Sequence, residues 1–298
     1  MESKKNIIIT GGSGCLGTEL TKMLKSKTSE LGSLPAIYDQ FDILSLASYE
    51  LDITNLEHVS KILEENRPYA VINCAAYTDV DGCEDEKDKA FRVNALGPRN
   101  LAIACEKKKA KLLHISTDYV FDGEEKEKRV ESDRINPKSV YGASKAFGEE
   151  YVKNFCSRWY ILRTSWLYGY HGKNFVNTII KAAKENGVLN VVDDQIGSPT
   201  NAVDLAYAIC KLLVTQEYGL YHCSGNGECS WYEFACEILK VFGIDAKINP
   251  CKSSEYKRKA KRPKFSNLDN FMLRLTVGDC FRDWKQALSA FCNNGYKS

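Results

Sequence analysis

A doubly wound α/β fold with a parallel, Rossmann-type sheet is what this sequence predicts, on three observations. Residues 6–10 (Asn-Ile-Ile-Ile-Thr) form a short β-branched run, Gly11-Gly12-Ser13-Gly14-Cys15-Leu16-Gly17 follows at once, and Leu16, Leu20, Met23 and Leu24 then recur at helical spacing. Strand, glycine-rich turn and helix in that order are the context a dinucleotide-binding turn requires. Strand-like and helix-like segments continue to alternate as far as Arg163, which implies parallel strands covered by helices on both faces. Third, Tyr141 and Lys145 in Tyr-Gly-Ala-Ser-Lys stand one helical turn apart on one face.

The elements follow in order. Residues 35–38 (Pro-Ala-Ile-Tyr) read as a second strand, and Thr54-Asn55-Leu56-Glu57 as a capping box opening a helix to about residue 66. Residues 70–73 (Ala-Val-Ile-Asn) are a strand, 84–93 and 97–108 helices, and 111–116 (Lys-Leu-Leu-His-Ile-Ser) a strand. Pro137 precedes the helix carrying Tyr141, and residues 159–163 form the next strand. Beyond Arg163 the rhythm loosens: 174–186 is helical, 188–192 a strand, 203–215 an apolar helix that returns to the sheet, and Ser230-Trp231-Tyr232-Glu233 a second capping box whose helix stops before Gly243. A last helix covers about 281–291, and 250–269 is a long irregular stretch suited to a ligand loop. The expected division is a dinucleotide-binding domain over 1–165, rejoined around 198–221, and a smaller C-terminal α/β substrate-binding region made of 166–197 and 222–298.

Composition narrows the function. The chain has 298 residues, 44% hydrophobic and 27% charged, with a net charge of +2, which does not suit a dedicated nucleic-acid binder. No apolar run is long enough to span a bilayer and residues 1–5 lead into no signal-peptide core. The 12 cysteines are scattered, without Cys-x-x-Cys, and the 4 histidines lack ligand spacing. Buried thiols in a reducing cytoplasm are expected, and no structural metal site. Cations crowd residues 252–264 (Lys252, Lys257, Arg258, Lys259, Lys261, Arg262, Lys264) against Glu255 alone. They read either as a solvated loop or as a source for a phosphate ligand, Arg262 ahead of Pro263 first among them.

The chemistry is suggested by Tyr141. A phenol ordinarily releases its proton near pH ~10, and a neighbouring ammonium pulls that value down. So tuned, Tyr141 hands a proton to a carbonyl oxygen and recovers it. Asp39 follows the presumed second strand, roughly twenty residues after the glycine turn, where a carboxylate binds the adenosine ribose and repels an added 2′-phosphate. Asp42 competes for that role. The expectation is that NADH serves at least as well as NADPH.

With Asn73-Cys74-Ala75-Ala76, Asn94, Ser116-Thr117-Asp118-Tyr119-Val120-Phe121-Asp122-Gly123, Arg163 to Gly169, Asp194-Gln195-Ile196-Gly197-Ser198-Pro199-Thr200, Ser230-Trp231-Tyr232 and Arg262-Pro263 added, the whole chain resembles the dTDP-4-dehydrorhamnose reductases of the extended short-chain dehydrogenase/reductase superfamily. The resemblance implies that NADPH or NADH reduces the C4 ketone of a dTDP-4-keto sugar. Tyr141 is the implied acid, Thr117 a second donor to the ketone oxygen, and Lys145 the residue that tunes Tyr141 and holds the nicotinamide ribose. Gly11, Gly14, Cys15, Leu16 and Gly17 are implied at the pyrophosphate, Ala75, Ala76 and Tyr77 beneath the adenosine side, Asp52 and Ile53 at the adenine, and Val80, Asp118, Tyr119 and Trp166 around the sugar. Mg2+ and a homodimer are compatible with the resemblance but not readable from the residues. Cys15, Tyr77 and Asp79 depart from the family's usual glutamine, histidine and small residue. A dehydratase would follow Thr117 with Asp-Glu, where this chain has Asp118-Tyr119. A 4-epimerase would fit the Tyr141/Lys145 pair alone but lacks the Asp194–Thr200 segment, and a non-catalytic nucleotide-binding regulatory subunit resembles the same family, though intact Thr117, Tyr141 and Lys145 argue against it without excluding it.

Overall fold

The computed structural model describes residues 5–295. Its centre is a six-stranded sheet, β1 (Lys5–Thr10), β2 (Phe41–Leu46), β3 (Ala70–Asn73), β4 (Lys111–Thr117), β5 (Trp159–Thr164) and β6 (Gly219–His222), in the spatial order β6-β5-β4-β3-β1-β2. Every neighbouring pair is parallel, and helices cover both faces. Successive β1 residues therefore enter different cores. Ile7 and Ile9 pack with Leu20 and Leu24 of the helix Cys15–Ser26 and with Ile209 of the helix Ala202–Leu213. Ile8 faces Val59 and Leu63 of the helix Leu56–Asn66 and Leu101 of the helix Gly97–Lys108. All three isoleucines are fully buried, each stabilising the fold by about 1.5–3 kcal/mol.

The second strand is not where the sequence places it. Residues 36–40 form a 3-10 helix (Ala36–Gln40), anchored by the Tyr38 hydroxyl donating to the Cys210 carbonyl at 2.7 Å, and the strand is Phe41–Leu46. Asp42 and Ser45 obscure that run in the sequence. As an edge strand it tolerates an exposed Asp42. The expected helix 84–93 is also broken, into Val80–Asp85, Lys87–Phe91 and a π-helical turn at Arg92–Leu96. The first capping box is displaced by one residue, Asn55 rather than Thr54 accepting the His58 N–H at 3.0 Å.

Beyond β5 the chain builds smaller sheets. Val188–Val192 pairs with Lys247–Cys251, and Ile196–Gly197 lies between Cys229–Ser230 and Phe265–Ser266. A separate core of Val176, Ile180, Phe234, Ile238 and Phe291 holds this part together. Its helix Trp231–Phe242 begins at the Ser230/Glu233 capping box and ends at Gly243, whose φ of 61° suits glycine.

The helix Val140–Phe155 is fixed to the sheet by buried charge. Arg163 on β5 donates to Glu149 through Nε (2.9 Å) and a terminal nitrogen (2.7 Å), and Ser116 on β4 donates to the same carboxylate at 2.6 Å. Both charged side chains are almost wholly buried, at 2% and 0% exposure. Removing one partner strands the other charge. Arg163→Met is expected to destabilise the protein by about 3–5 kcal/mol in urea unfolding, and a loss under about 1 kcal/mol would contradict this account.

Candidate active site

The carboxyl edge of the sheet opens into a cleft of about 600 Å3. At its floor Gly11 has φ +66°, and a Cβ there would lie 2.7 Å from the Ala75 nitrogen. A Cβ on Gly17 would lie 2.3 Å from the Gly11 carbonyl oxygen. Glycine at these two positions lets the turn, the first helix and the end of β3 approach one another, leaving backbone N–H groups at a helix N-terminus. Gly14, Cys15 and Leu16 line the same cleft.

From β3, Cys74, Ala76 and Thr78 line the opposite side. Their course is held by Asn94 in the π-helical turn, whose amide accepts from Tyr77 N (2.8 Å) and donates to Tyr77 O (2.9 Å). π-Turns often occur at functional sites, since they reposition a side chain within a helix. The Tyr77 side chain itself turns outward, its hydroxyl donating to Glu86 at 2.6 Å. Asp79 caps the following helix, accepting from Gly82 N at 3.0 Å, which puts Val80 on the cleft wall.

Thr117 at the end of β4 and Tyr141 and Lys145 on the facing helix all line this cleft. Ser139 caps the helix, accepting from Gly142 N at 3.1 Å. Tyr141 packs edge-on to Tyr119 with ring centroids 5.4 Å apart, and its hydroxyl is in hydrogen-bond reach of Thr117. The Thr117 hydroxyl donates to Asp118 at 2.8 Å. Lys145 Nζ donates to the Ile115 carbonyl at 2.5 Å.

Electrostatics here differ from the sequence expectation. Burial pushes the Tyr141 phenol above its ordinary value, against the smaller opposing effect of Thr117. Burial likewise lowers Lys145 to about 8, with Glu149 and Cys74 opposing. Burial, and not the lysine, dominates at the phenol in this state. A low-dielectric site disfavours the charged form of both groups, so Tyr141 keeps its proton at neutral pH. Burial also raises Asp118 to about 6.

Two cavities meet at a tryptophan wall. Trp166 stacks on Trp231 at 3.4 Å and 6°, and Trp166 has φ +47°, unusual for a side chain of this size. A neighbouring cavity of about 580 Å3 shares Tyr119 and Trp231 with the first and is lined by Phe175, Gln195, Tyr256 and Arg258. Arg262 lines it too, donating to Asp81 at 2.8 Å and to the Tyr119 hydroxyl at 3.5 Å. Asp81 also accepts from Ala260 N at 3.0 Å, so the basic loop is tied to the helix Val80–Asp85.

The structure thus gathers Gly11, Gly14, Cys15, Leu16, Gly17, Ala76, Val80, Thr117, Asp118, Tyr119, Tyr141, Lys145 and Trp166 in one cleft, with Ala75 against its floor. Others fall elsewhere. Asp39 ends a 3-10 helix before β2 and pairs with Lys27. Asp42 pairs in register with Asn6, whereas the glycine turn follows Thr10 opposite Leu46. Both aspartates are therefore at the amino end of β2, about four to seven residues and more than ~12 Å from its carboxyl end. Neither reaches the adenosine ribose; the roughly-twenty-residue spacing misled because the second strand begins later. Asp52 holds the Thr54 N–H (2.9 Å) in a turn, Ile53 is buried against Gly97, and neither lines the cleft. Lys173 and Asn174 line it without any signal in the sequence. Trp231 was visible only as part of Ser-Trp-Tyr.

Oxidoreductases of the extended short-chain dehydrogenase/reductase type are built in this way. The family model described as RmlD substrate binding domain matches residues 5–296, and the chain belongs to that family. A dTDP-4-dehydrorhamnose reductase of Aggregatibacter actinomycetemcomitans is 39% identical over 294 residues, 95% of this chain and 96% of its own. The crystal structure of a dTDP-4-dehydrorhamnose reductase from Clostridium acetobutylicum superposes with a TM-score of 0.91 at 46% identity, covering 97% of this chain and 99% of that one. The dTDP-4-dehydrorhamnose reductase of Bacillus anthracis, in complex with NADP, gives a TM-score of 0.91 at 41% identity over 98% of this chain and all of its own.

Asp39→Asn is expected to leave the ratio of kcat/KM for NADPH over NADH unchanged within about twofold, because a screened, exposed carboxylate more than a Debye length of ~10 Å away exerts little force. A larger change measured by cofactor oxidation would restore Asp39 to the site.

Proposed function

We propose that this protein reduces the C4 ketone of dTDP-4-dehydrorhamnose to dTDP-L-rhamnose with NADPH. The observation that carries the reading is the convergence of Thr117, Tyr141 and Lys145 on a cleft whose floor is the glycine turn. The cofactor fits: with glycine at positions 11 and 17 the turn, the first helix and the end of β3 close on one another, and the helix N-terminus after Gly14 presents the backbone N–H groups that a pyrophosphate needs. Gly14, Cys15, Leu16 and Gly17 would hold the pyrophosphate, and Lys145 the nicotinamide ribose. When bound, the cofactor supplies the hydride.

The chain's own residues handle the oxygen. Tyr141 donates its proton to the ketone oxygen as negative charge develops there. The Thr117 hydroxyl swings from Asp118 to donate to the same atom; such a donor is worth about 3 kcal/mol in a transition state. Lys145, as the ammonium, stabilises the phenolate that remains. Trp166 and Tyr119 wall the sugar, and the neighbouring cavity receives the nucleotide half. There Arg258 and Arg262 face the diphosphate while Asp81 holds Arg262 in place. Residues 1–165 with 198–221 act as the dinucleotide-binding domain, and 166–197 with 222–298 as the substrate region.

With Asp39 removed from the site, the expectation of NADH preference loses its support. Ala47, Ser48 and Tyr49 follow β2, with the Glu50 carboxylate turned onto the Ala47 N–H at 2.9 Å; the NADP in the Bacillus anthracis relative is what favours NADPH here. Free thiols at all 12 cysteines favour a reducing cytoplasm, and among the described residues no helix is long and apolar enough to cross a membrane. Dehydratase chemistry is disfavoured because Tyr119, at the position of the required glutamate, is a buried phenol pushed up to about 12, chiefly by burial. A non-catalytic subunit would have no use for an intact Thr117, Tyr141 and Lys145.

The test is NADPH oxidation on addition of dTDP-4-dehydrorhamnose. Tyr141→Phe is expected to lower kcat by about 10²–10⁴-fold while NADPH affinity stays within about threefold. Near-normal turnover in that variant would exclude Tyr141 as the acid.

A further inference from the structure

Beside Lys145, outside the lining of the cleft, three buried polar side chains lie in one row across the sheet. Thr10 on β1, Asn73 on β3 and His114 on β4 are direct register partners, with exposures of 1%, 1% and 0%. Asn73 Oδ1 accepts from the Ala75 backbone N–H at 3.2 Å and from the Thr10 hydroxyl at 2.6 Å. A backbone N–H only donates, so the atom facing it is the amide oxygen. Asn73 Nδ2 therefore faces His114 Nδ1, at 2.9 Å, and has only hydrogens to offer. His114 Nδ1 must accept, which puts the imidazole proton on Nε2 and excludes the imidazolium. That Nε2 faces Lys145 Nζ at 3.4 Å. A neutral amine accepts this N–H with its lone pair while still donating to the Ile115 carbonyl. An ammonium has no lone pair and meets a donor head-on.

We propose that the Thr10–Asn73–His114 row is a positioning relay for the catalytic lysine, locking the imidazole as a donor toward Lys145 and favouring release of the lysine's proton. The proposal rests on the reading of Lys145 as the residue beside the nicotinamide. The other ionisable groups around Lys145 are accounted for. Glu149, one turn further along the same helix, is held by Arg163 and Ser116. Together with the Cys74 thiol from β3 it favours the ammonium. Tyr141, one turn before, remains a neutral phenol. Burial opposes the ammonium and is the largest effect, and Lys145 comes to rest at about 8. His114 is held well below its ordinary range by burial and then by Lys145, in keeping with a neutral ring. The ammonium is present below that value and is lost as pH rises through it, taking with it the charge that stabilises the Tyr141 phenolate. Burial, reinforced by the relay, therefore places the alkaline decline of kcat/KM close to neutral pH.

The experiment is NMR of the unliganded protein labelled with 15N at histidine and lysine, Lys145 being assigned by loss of its signal in Lys145→Met. Wild-type His114 is expected to stay the Nε2–H tautomer from about pH 6 to about pH 9, while Lys145 titrates well below the ordinary lysine value of ~10.4. In Asn73→Asp the carboxylate only accepts, so His114 should change to Nδ1–H and turn a lone pair to Lys145. Lys145 should then bind its proton at least about tenfold more tightly, raising its titration by about one pH unit or more, and the alkaline limb of kcat/KM should move up equally. The added negative charge is separated by a double-mutant cycle: what remains in a His114→Phe background is the direct effect of the charge, and the larger part of the shift should be lost there. An Nδ1–H or imidazolium His114 in the wild type, an unmoved Lys145 in Asn73→Asp, or a shift undiminished in His114→Phe each overturns the proposal. Failure of the reductase reading appears differently, as no NADPH oxidation by the wild type, and leaves the NMR result standing.

Discussion

The Val140–Phe155 helix is held to the sheet by charges placed where water does not reach, and the geometry of the cleft depends on this. Arg163 and Glu149 form a two-pronged pair with Ser116 as a third partner. One turn earlier on the same helix Lys145 is fixed by the Ile115 carbonyl, and another turn earlier Tyr141 meets Thr117. A buried pair of this kind adds little net stability compared with apolar packing, but it tolerates only one arrangement, because misplacing either charge leaves it unsolvated. Rotation of the helix would break all of these contacts together.

Burial that fixes the helix also decides the protonation of its active side chains. A phenol and an amine that share one buried cleft can both be neutral or both be charged. In water the lysine would be charged; in this low-dielectric cleft both neutral forms gain. On the proposed mechanism Tyr141 carries its proton until a ketone oxygen begins to acquire negative charge, and only then does a nearby positive charge have something to stabilise. A site of this kind responds to the transition state more than to the resting state, as catalysis by differential binding requires.

Beyond the cleft, the two stacked tryptophans and the Asp81–Arg262 pair join segments that follow the central sheet to the separate C-terminal core and the basic loop. Trp166 follows β5 in a left-handed backbone conformation, while Trp231 opens a helix of the separate C-terminal core. The strain at Trp166, of order 1–3 kcal/mol, is maintained because the stacked partner and the close approach of Gly197 leave its ring no other place. Asp81 spans the same junction from the other side, gathering Arg262 and the Ala260 N–H. A long sugar nucleotide lying across both cavities would touch both parts of the molecule.

Local chemistry made much of this legible in advance. The glycine turn, the β-branched strands, the Ser230/Glu233 cap and the Tyr141/Lys145 spacing each express a short-range rule, and such rules survive folding because their partners are a few residues apart. The second strand is hidden because Phe41–Leu46 carries Asp42 and Ser45, and the exposed Asp42 is tolerated by an edge position, which is a property of the whole sheet. The assignment of Asp39 to the cofactor failed with it. Nor did any local pattern announce that Thr10, Asn73 and His114 stand in one row, that burial would outweigh the lysine at Tyr141, or that Trp166 and Trp231 would stack. Those depend on strand order, register and exclusion of water, which residues distant in sequence settle only when the sheet and its helices have assembled.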